Sequence, residues 1–277
     1  MNVVLPVLSS VGPSKTTKEE APSMERYYLP RPEEDLLGPQ ESDHALRVMR
    51  RRAGDRILLF DGAGTEWIAE VTRRSGRRLS FRKIAERKVA PPPRKIGIAQ
   101  ALLKAKAMDL FVQKATELGV TEIFPVLCAR SVAWREGIEH KQARWIEITV
   151  AAAKQSGRAW LPTIHSPVEI GDLDQETSSY PLRLFGSLQE SAPPLRALFP
   201  LHREAAQRGV LSLIGPEGDL TPVERTLVEE GGFFPVSLSP TILRSETAAL
   251  FCAAVFLYEM SGERDEEREK GVWQEKF

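Results

Sequence analysis

Two glycines and a proline interrupt an apolar stretch in residues 213–220, and these residue types could hold a ligand. Residues 210–214 predict a buried strand before the interruption, and Thr221-Pro222-Val223-Glu224 predicts the capped start of a helix after it. Open α/β sheets bind ligands at such strand-to-helix junctions, where glycines let the backbone approach closely. The loop is a candidate ligand site, although an ordinary tight turn would explain the same residues.

A second polar segment, residues 238–248, also runs from the end of a predicted strand to the start of a predicted helix. Ser245 or Thr247 fits the role of helix cap, and Glu246 in the first turn complements the helix dipole. Arg244 has no such explanation, because a cation at a helix N-terminus opposes that dipole. Residues that break a local rule are candidates for function, so Arg244 is the first candidate catalytic residue and Glu246 the second.

Basic side chains that could contact an anionic polymer lie in three places. They are the cluster Arg47, Arg50, Arg51 and Arg52, the helical Lys114, and Arg158 near a helix end. A solvated helix end, an ion pair with Glu117 and a favourable helix dipole are the respective alternatives. Residues 24–90 carry 15 Lys and Arg against 11 Asp and Glu, a local charge of +4 in a chain of zero net charge. This bias suits a polyanionic partner without requiring one.

Several common catalytic machineries are excluded, because the phosphate-binding, dinucleotide-binding, zinc-protease and serine-hydrolase motifs do not occur in the sequence. Two cysteines and four scattered histidines offer no metal-ligand spacing, so no metal is predicted. The longest apolar run, residues 248–258, is too short to span a bilayer, so no membrane partner is predicted. Both cysteines lie among apolar neighbours as free thiols, which favours a cytoplasmic location.

The pattern of the chain changes at Pro91-Pro92-Pro93, which predicts a domain boundary. In residues 24–90, three β-like segments (56–60, 65–72 and 79–84) and a helix over 42–52, capped by Ser42 or Asp43, predict a small β-barrel. In residues 91–260, strands alternate with helices, which predicts a mostly parallel sheet covered on both faces. Residues 1–23 are predicted to be a disordered extension and residues 261–277 a charged tail.

Several of these segments, taken in order, resemble one family: the 16S ribosomal RNA (uracil-N3)-methyltransferases of the SPOUT superfamily. The resemblance rests on 113–119, the helix end Gln155-Ser156-Gly157-Arg158, the loop Gly215-Pro216-Glu217-Gly218 and residues 242–248. Residues 24–30 and 44–55 add to it. It runs from about Met24 to Met260, nearly the whole chain.

The resemblance implies an N-terminal PUA-like β-barrel that binds RNA, followed by a SPOUT α/β domain with a C-terminal trefoil knot. It also implies a homodimer that binds S-adenosyl-L-methionine in the knot loops. Carried over to this sequence, the cofactor-binding residues are Leu184, Phe185, Gly186, Ser187, Ile214, Gly215, Pro216, Glu217, Gly218, Ser237, Leu238, Ser239, Ile242 and Leu243. Asp219 departs from the family, which usually has a second glycine there.

The implied reaction is methylation of N3 of a uridine in 16S rRNA within the small ribosomal subunit. Attack on the sulfonium methyl requires loss of the weakly acidic N3 proton, so Arg244 would stabilise the developing uridinate and Glu246 could accept the proton. Two alternatives stay open: a SPOUT enzyme that methylates a ribose 2′-hydroxyl or another base, and a catalytically silent RNA-binding module.

Overall fold

The computed structural model describes residues 24–131 and 138–261, which form two units with separate hydrophobic cores. The predicted extension 1–23 and nearly all of the predicted tail 261–277 lie outside the described residues. The first unit is a four-stranded sheet with a short helical segment packed on it. The second is a larger parallel sheet with helices on both faces.

The sheet of the first unit has the order β1-β2-β3-β4. Its strands are β1 (Arg26–Tyr28), β2 (Arg56–Phe60), β3 (Thr65–Ser75) and β4 (Arg78–Lys88). The predicted hairpin and third strand are present, and the sequence pattern had not indicated β1, which pairs parallel to β2. Among the described residues these strands pair as one four-stranded sheet, and Leu36 forms an isolated antiparallel bridge with Ser80 of β4. Closure of the sheet into a barrel stays a prediction.

The helical segment of the first unit begins earlier than the sequence predicted. Helix α1 (Pro39–Asp43) continues into a π-helical turn, His44–Val48, and Gly38 is the N-cap residue. Ser42, predicted as a cap, is fully buried: its hydroxyl donates to the carbonyl of Leu37 at 3.0 Å and accepts from the N–H of Leu79 at 3.1 Å. The prediction of a helix over 42–52 was wrong in its limits, because Ser42 joins the helix to the sheet.

All strand pairs in the second sheet are parallel, as predicted from the alternation of strands and helices. The strands are β5 (Ile96–Ala101), β6 (Glu122–Leu127), β7 (Thr163–Ile164), β8 (Val168–Glu169), β9 (Leu182–Gly186), β10 (Val210–Ile214) and β11 (Phe234–Val236). Their order is β11-β9-β10-β5-β6-β7, and β8 pairs with β6. The carboxyl ends of β9, β10 and β11 therefore meet at one edge.

Two apolar cores cover the two faces of this sheet, because successive side chains of a strand point to opposite sides. On β10, Val210 and Ile214 pack in one core, and Leu211 and Leu213 in the other. The helices are α2 (Ala105–Glu117), α3 (Ile138–Ser156), α4 (Leu173–Glu176), α5 (Leu195–Leu201), α6 (Arg203–Arg208), α7 (Pro222–Glu230) and α8 (Ser245–Met260). Helices α4, α5 and α6 were not predicted. The trefoil knot stays a prediction.

Residues 159–161 connect the two units by backbone pairing with the turn between β2 and β3. The N–H of Gly64 donates to the carbonyl of Ala159 at 3.1 Å, and the N–H of Leu161 to that of Gly62 at 2.9 Å. Gly64 has φ +94°, and a Cβ there would collide with the Trp160 ring, so only glycine permits this approach. The contact fixes the first unit against the second.

Candidate functional site

Three loops at the carboxyl ends of β9, β10 and β11 surround a cavity of about 550 Å³. This volume is within the range, roughly 300–1,000 Å³, of sites that bind small molecules and cofactors. The side chains and backbone that line it come from residues 186–190 and 192, 214–217 and 219, and 237–245, with Ala248. We call this space the loop cavity.

Most of the predicted cofactor-binding residues line the loop cavity. Those that line the loop cavity are Gly186, Ser187, Ile214, Gly215, Pro216, Glu217, Ser237, Leu238, Ser239, Ile242 and Leu243. Leu184 and Phe185 lie instead in the two apolar cores, as interior residues of β9. Gly218 faces Arg130, whose guanidinium donates to the Gly218 carbonyl at 2.7 Å.

The loop between β10 and α7 is anchored by the predicted helix cap. The hydroxyl of Thr221 accepts from the N–H of Glu224 at 3.2 Å, and the Glu224 carboxylate accepts in return from the N–H of Thr221 at 2.8 Å. The same carboxylate accepts from the N–H of Ala129 after β6 at 2.6 Å. Burial alone would raise the pKa of Glu224, but these N–H donors outweigh it and hold the pKa below its usual value.

Asp219 keeps the left-handed backbone that a glycine would adopt there, with φ +62°. Its carboxylate accepts from the N–H of Leu220 at 2.8 Å and pairs with Arg225 at 3.2 Å. Asp is one of the few residues besides glycine that visit this conformation, because its short side chain can bond locally. The departure from the family pattern therefore preserves the course of the loop and adds a carboxylate to the cavity wall.

Arg244 occupies the N-cap position of α8 and lines the loop cavity. Its side chain is exposed and makes no ion pair with any residue that the structure describes. The expected cap by Ser245 or Thr247 was wrong, because α8 begins without a side-chain cap. The Ser245 hydroxyl donates instead to the carbonyl of Gly215 at 2.6 Å. Glu246 lies half-buried in the first turn of α8, outside the cavity wall.

The loop cavity carries more negative than positive charge. Glu190, Glu217 and Asp219 contribute carboxylates, and Arg244 is the one basic residue among the described residues of the wall. Such a balance suits a ligand with positive charge better than a polyphosphate. The sequence analysis did not predict Glu190 as a site residue. The only signal for it was its position four residues after the end of β9.

A second cavity, of about 300 Å³, lies in the first unit and is lined by five arginines. Leu46, Ala53, Val71 and Leu79 supply its apolar wall, and the basic residues are Arg50, Arg51, Arg52, Arg73 and Arg74. We call these five residues the arginine cluster. The sequence pattern pointed only to the first three of these arginines, because Arg73 and Arg74 were assigned to the turn that precedes the strand predicted over 79–84.

The arginine cluster has no carboxylate partner in residues 24–131 or 138–261, unlike its neighbours. Arg31, Arg47 and Arg82 pair with acidic residues at 3.2, 2.8 and 3.7 Å. Arg47, predicted to bind RNA, therefore has its charge balanced by Asp43 one helical turn away. Five arginines around one cavity without a carboxylate partner in the described residues are a candidate binding site for anions, although Nε of Arg74 already donates to the carbonyl of Gly76 at 2.7 Å.

Lys114 and Arg158, the other predicted RNA-binding residues, line neither cavity and make contacts within the second unit. Lys114 pairs with Glu117 at 2.8 Å. Arg158 donates to the carbonyls of Thr116 and Val120 at 2.6 and 3.1 Å, and burial lowers its pKa to about 10. Both side chains thus act in the fold, which is the alternative that the sequence left open.

In the described ranges, no three His, Cys, Asp or Glu side chains are grouped as metal ligands, and no helix has the length and apolar character to cross a membrane. Cys128 and Cys252 are free thiols. Burial raises the pKa of each to about 12, which leaves them protonated and unreactive at neutral pH.

The sequence matches two known families along most of its length. Residues 90–257 match the RNA methyltransferase domain family, and residues 37–84 match the RNA methyltransferase PUA domain family. Together with a parallel sheet that has a loop cavity at its carboxyl edge, these matches define an RNA methyltransferase with a PUA domain.

Individual relatives share one name. A "Ribosomal RNA small subunit methyltransferase E" from Mycobacterium bovis is 30% identical over 77% of this chain and 82% of its own length. A Synechocystis protein of the same name is 32% identical over 73% of this chain, and the match spans 65% of that relative. The chain belongs to the family of ribosomal RNA small subunit methyltransferases E. The resemblance predicted from the motifs is confirmed.

Solved structures of similar proteins share the fold of this chain. A ribosomal RNA small subunit methyltransferase E from Neisseria gonorrhoeae, bound to S-adenosyl methionine, superposes with a TM-score of 0.75 at 30% identity and covers 85% of this chain and 97% of its own. A Legionella pneumophila methyltransferase in complex with the same cofactor gives a TM-score of 0.77 at 30% identity, with the same coverage.

Proposed function

We propose that this protein transfers the methyl group of S-adenosyl-L-methionine to N3 of a uridine in 16S rRNA of the small ribosomal subunit. The observation that carries the proposal is the loop cavity of a chain in this family, with an unpaired arginine in its wall. Relatives of known structure bind this cofactor. The setting would be the cytoplasm, where small subunits are found.

The residues of the loop cavity fit such a cofactor in size and charge. S-Adenosyl-L-methionine carries a sulfonium and an ammonium group, and the carboxylates of Glu190 and Glu217 favour cations in the cavity. The Asp219 carboxylate is already paired with Arg225. Backbone groups of 186–187, 214–217 and 237–239 would hold its adenosine part, since glycine and proline keep these loops close and stiff. When bound, the cofactor supplies a methyl group already activated for transfer.

The protein then has to orient the uracil and stabilise negative charge on it. Loss of the N3 proton leaves charge on the uracil carbonyl oxygens, and the Arg244 guanidinium could donate to them. N3 lies on the pairing edge of the base, so the uridine has to be unpaired or extruded to react. Glu246, in the first turn of α8, is the candidate to accept the proton.

The arginine cluster is the proposed contact for the RNA backbone. Phosphates pair with guanidiniums in a planar fork, and binding releases counterions, so affinity falls steeply with salt. Arg50, Arg51 and Arg52 keep the role predicted from the sequence, and Arg73 and Arg74 join them. Arg47, Lys114 and Arg158 would contribute less, since their charges or donors are already engaged.

The family resemblance also supports a homodimer. Three large apolar residues of α8 stay exposed on the chain: Phe251 at 38%, Leu257 at 39% and Tyr258 at 80%. A second copy could bury them, as oligomer interfaces are rich in such side chains. Sedimentation velocity would find a species of twice the chain mass, and a monomer at micromolar concentration would contradict this proposal.

The deciding experiment incubates the protein with methyl-labelled S-adenosyl-L-methionine and small ribosomal subunits that lack the modification. The rRNA is digested to nucleosides, and we expect the label in 3-methyluridine. Label in a 2′-O-methyl nucleoside or another base would establish the alternative SPOUT activity. RNA binding without cofactor binding in calorimetry would establish a silent RNA-binding module.

A further inference from the structure

Gln100 is a polar residue in the centre of the second sheet, where an apolar side chain would be expected. It lies near the end of β5, between Ile214 of β10 and Pro125 of β6, and its side chain is fully buried. Its carbonyl Oε1 has no hydrogen-bond partner in the described part of the chain. A buried polar group with an unused acceptor costs stability, and such residues tend to serve function.

The amide of Gln100 starts a chain of hydrogen bonds with a single possible direction. Its Nε2 donates to the Ser245 hydroxyl at 2.8 Å and to the carbonyl of Ala101 at 3.0 Å. Nε2 has hydrogens but no acceptor lone pair, so the Ser245 oxygen has to accept. The one proton of that hydroxyl is then free for the carbonyl of Gly215, 2.6 Å away.

These bonds join three elements that meet at the loop cavity. Gln100 belongs to the central strand β5, Gly215 to the loop after β10, and Ser245 to the first turn of α8, next to Arg244. Ser245 is also nearly buried, so water does not compete for its hydroxyl. The Ser245 hydroxyl thus ties the residue that follows Arg244 to the Gly215 loop.

We propose that Gln100 and Ser245 are positioning residues for methyl transfer, which hold Arg244 in register with the loop that binds the cofactor. This inference rests on the proposed function. Neither side chain contacts the reacting atoms. Their role is to keep the start of α8 from shifting when substrate and cofactor are bound, because displacements of about 1 Å at a reacting centre can cost roughly a hundredfold in rate.

The test compares Ser245→Ala with a control that removes a similar hydroxyl elsewhere in the same sheet. Ser212 of β10 is fully buried, and its hydroxyl contacts the Cys252 sulfur at 3.6 Å, away from the loop cavity. Ser212→Ala therefore reports the cost of losing a buried hydroxyl alone. For each full-length variant, the midpoint of thermal unfolding, the cofactor Kd and the single-turnover methylation rate at saturating cofactor are measured.

We expect Ser245→Ala to lower the single-turnover rate by roughly 10- to 100-fold, and Ser212→Ala to leave it within about twofold. Cofactor affinity should fall by less than about tenfold, in line with one lost neutral hydrogen bond. Ser245→Thr keeps the hydroxyl and should restore most of the rate. A purely structural role would lower the unfolding midpoint of both alanine variants without this difference in rate.

Two further variants test the bond that Gln100 donates. Gln100→Leu keeps a side chain of similar volume and removes the donor, so the Ser245 oxygen loses the bond that orients its proton toward Gly215. We expect its rate to fall by no more than that of Ser245→Ala, which loses the bond to Gly215 as well. In the double variant Gln100→Leu with Ser245→Ala, the rate should be no lower than in the slower single variant, because both changes break one chain.

The outcomes separate this inference from the function on which it rests. If the wild type does not methylate small subunits, the proposed function fails. If the wild type is active and Ser245→Ala matches Ser212→Ala in rate, the positioning role is overturned. If the fold-losses in rate of the two single variants multiply in the double variant, the inference is likewise overturned, because the two residues would then act independently and not through one chain of hydrogen bonds.

Discussion

Neutralising part of the arginine cluster offers a quantitative test of how this protein would bind RNA. We consider Arg50, Arg51 and Arg52 all changed to Gln, which keeps the first three side-chain carbons and a polar end group and removes three charges. These guanidiniums line one cavity and have no ion-pair partner in the described residues. Their loss should therefore leave no carboxylate without its partner, and the exposed Arg50 and Arg52 are open to phosphates, whereas Arg51 is half-buried beside Tyr27.

The expected magnitude follows from counterion release. Each phosphate contact contributes about 0.7–0.9 to the slope of log affinity against log salt. Three lost contacts would flatten the slope by up to about 2–3. Between 50 and 200 mM salt, a fourfold change, the wild type would therefore lose roughly 20- to 40-fold more affinity than the variant.

The assay is fluorescence anisotropy with a labelled fragment of 16S rRNA at five salt concentrations. The matched control is Arg31, Arg47 and Arg82 changed to Gln, which also removes three charges. Their side chains are about equally exposed, at 72%, 70% and 70%, but each is paired with an acidic residue. Surface ion pairs contribute little to stability, so the control should fold, and the cluster variant breaks no ion pair among the described residues.

The control should change the salt slope by less than half as much as the cluster variant, and cofactor affinity should stay the same in both. Equal flattening by the two variants would refute the reasoning. It would mean that the net charge of the first unit, and not the unpaired state of the cluster, governs RNA binding. An unaltered salt slope in both variants would mean that the cluster is a solvated surface that does not contact RNA.

Arg244→Ala should fold and bind S-adenosyl-L-methionine almost normally, yet lower the single-turnover methylation rate about 100- to 1,000-fold, and Arg244→Lys should restore little. A rate within a few-fold of wild type would exclude this role. In urea unfolding, Asp219→Gly should be more stable than Asp219→Ala by about 1 kcal/mol, because alanine is strained in the left-handed backbone conformation of residue 219 and glycine is not. Equal free energies of unfolding for the two variants would contradict this. The lowered pKa of Glu224 means that its contribution is present above pH 4.5, its ordinary value, and is lost as the pH falls through the folded-state value. The difference in unfolding free energy between wild type and Glu224→Gln should therefore shrink on acidification, and a constant difference from pH 7 to pH 3 would rule this out.

Local patterns in the sequence determined much of this protein. Strands 56–60 and 210–214 have the limits that the sequence pattern predicted. The Thr221–Glu224 capping box formed as its spacing required. These features depend on contacts between residues three or four apart, or on an apolar run long enough to be buried, and both can be recognised in the amino-acid sequence. The glycine and proline loops were found for the same reason.

Only the tertiary structure decided which polar residues meet. Ser42 and Ser245 looked like helix caps, yet their hydroxyls join elements 37 and 30 residues apart in sequence. Arg73 and Arg74 come beside Arg50–Arg52 because β3 folds back on the turn after α1, and Arg158 turns inward to backbone carbonyls. A charged or hydroxylated side chain has several possible partners of similar energy, and distance in the folded chain selects among them. That distance is set by the packing of whole strands and helices, which no local spacing encodes.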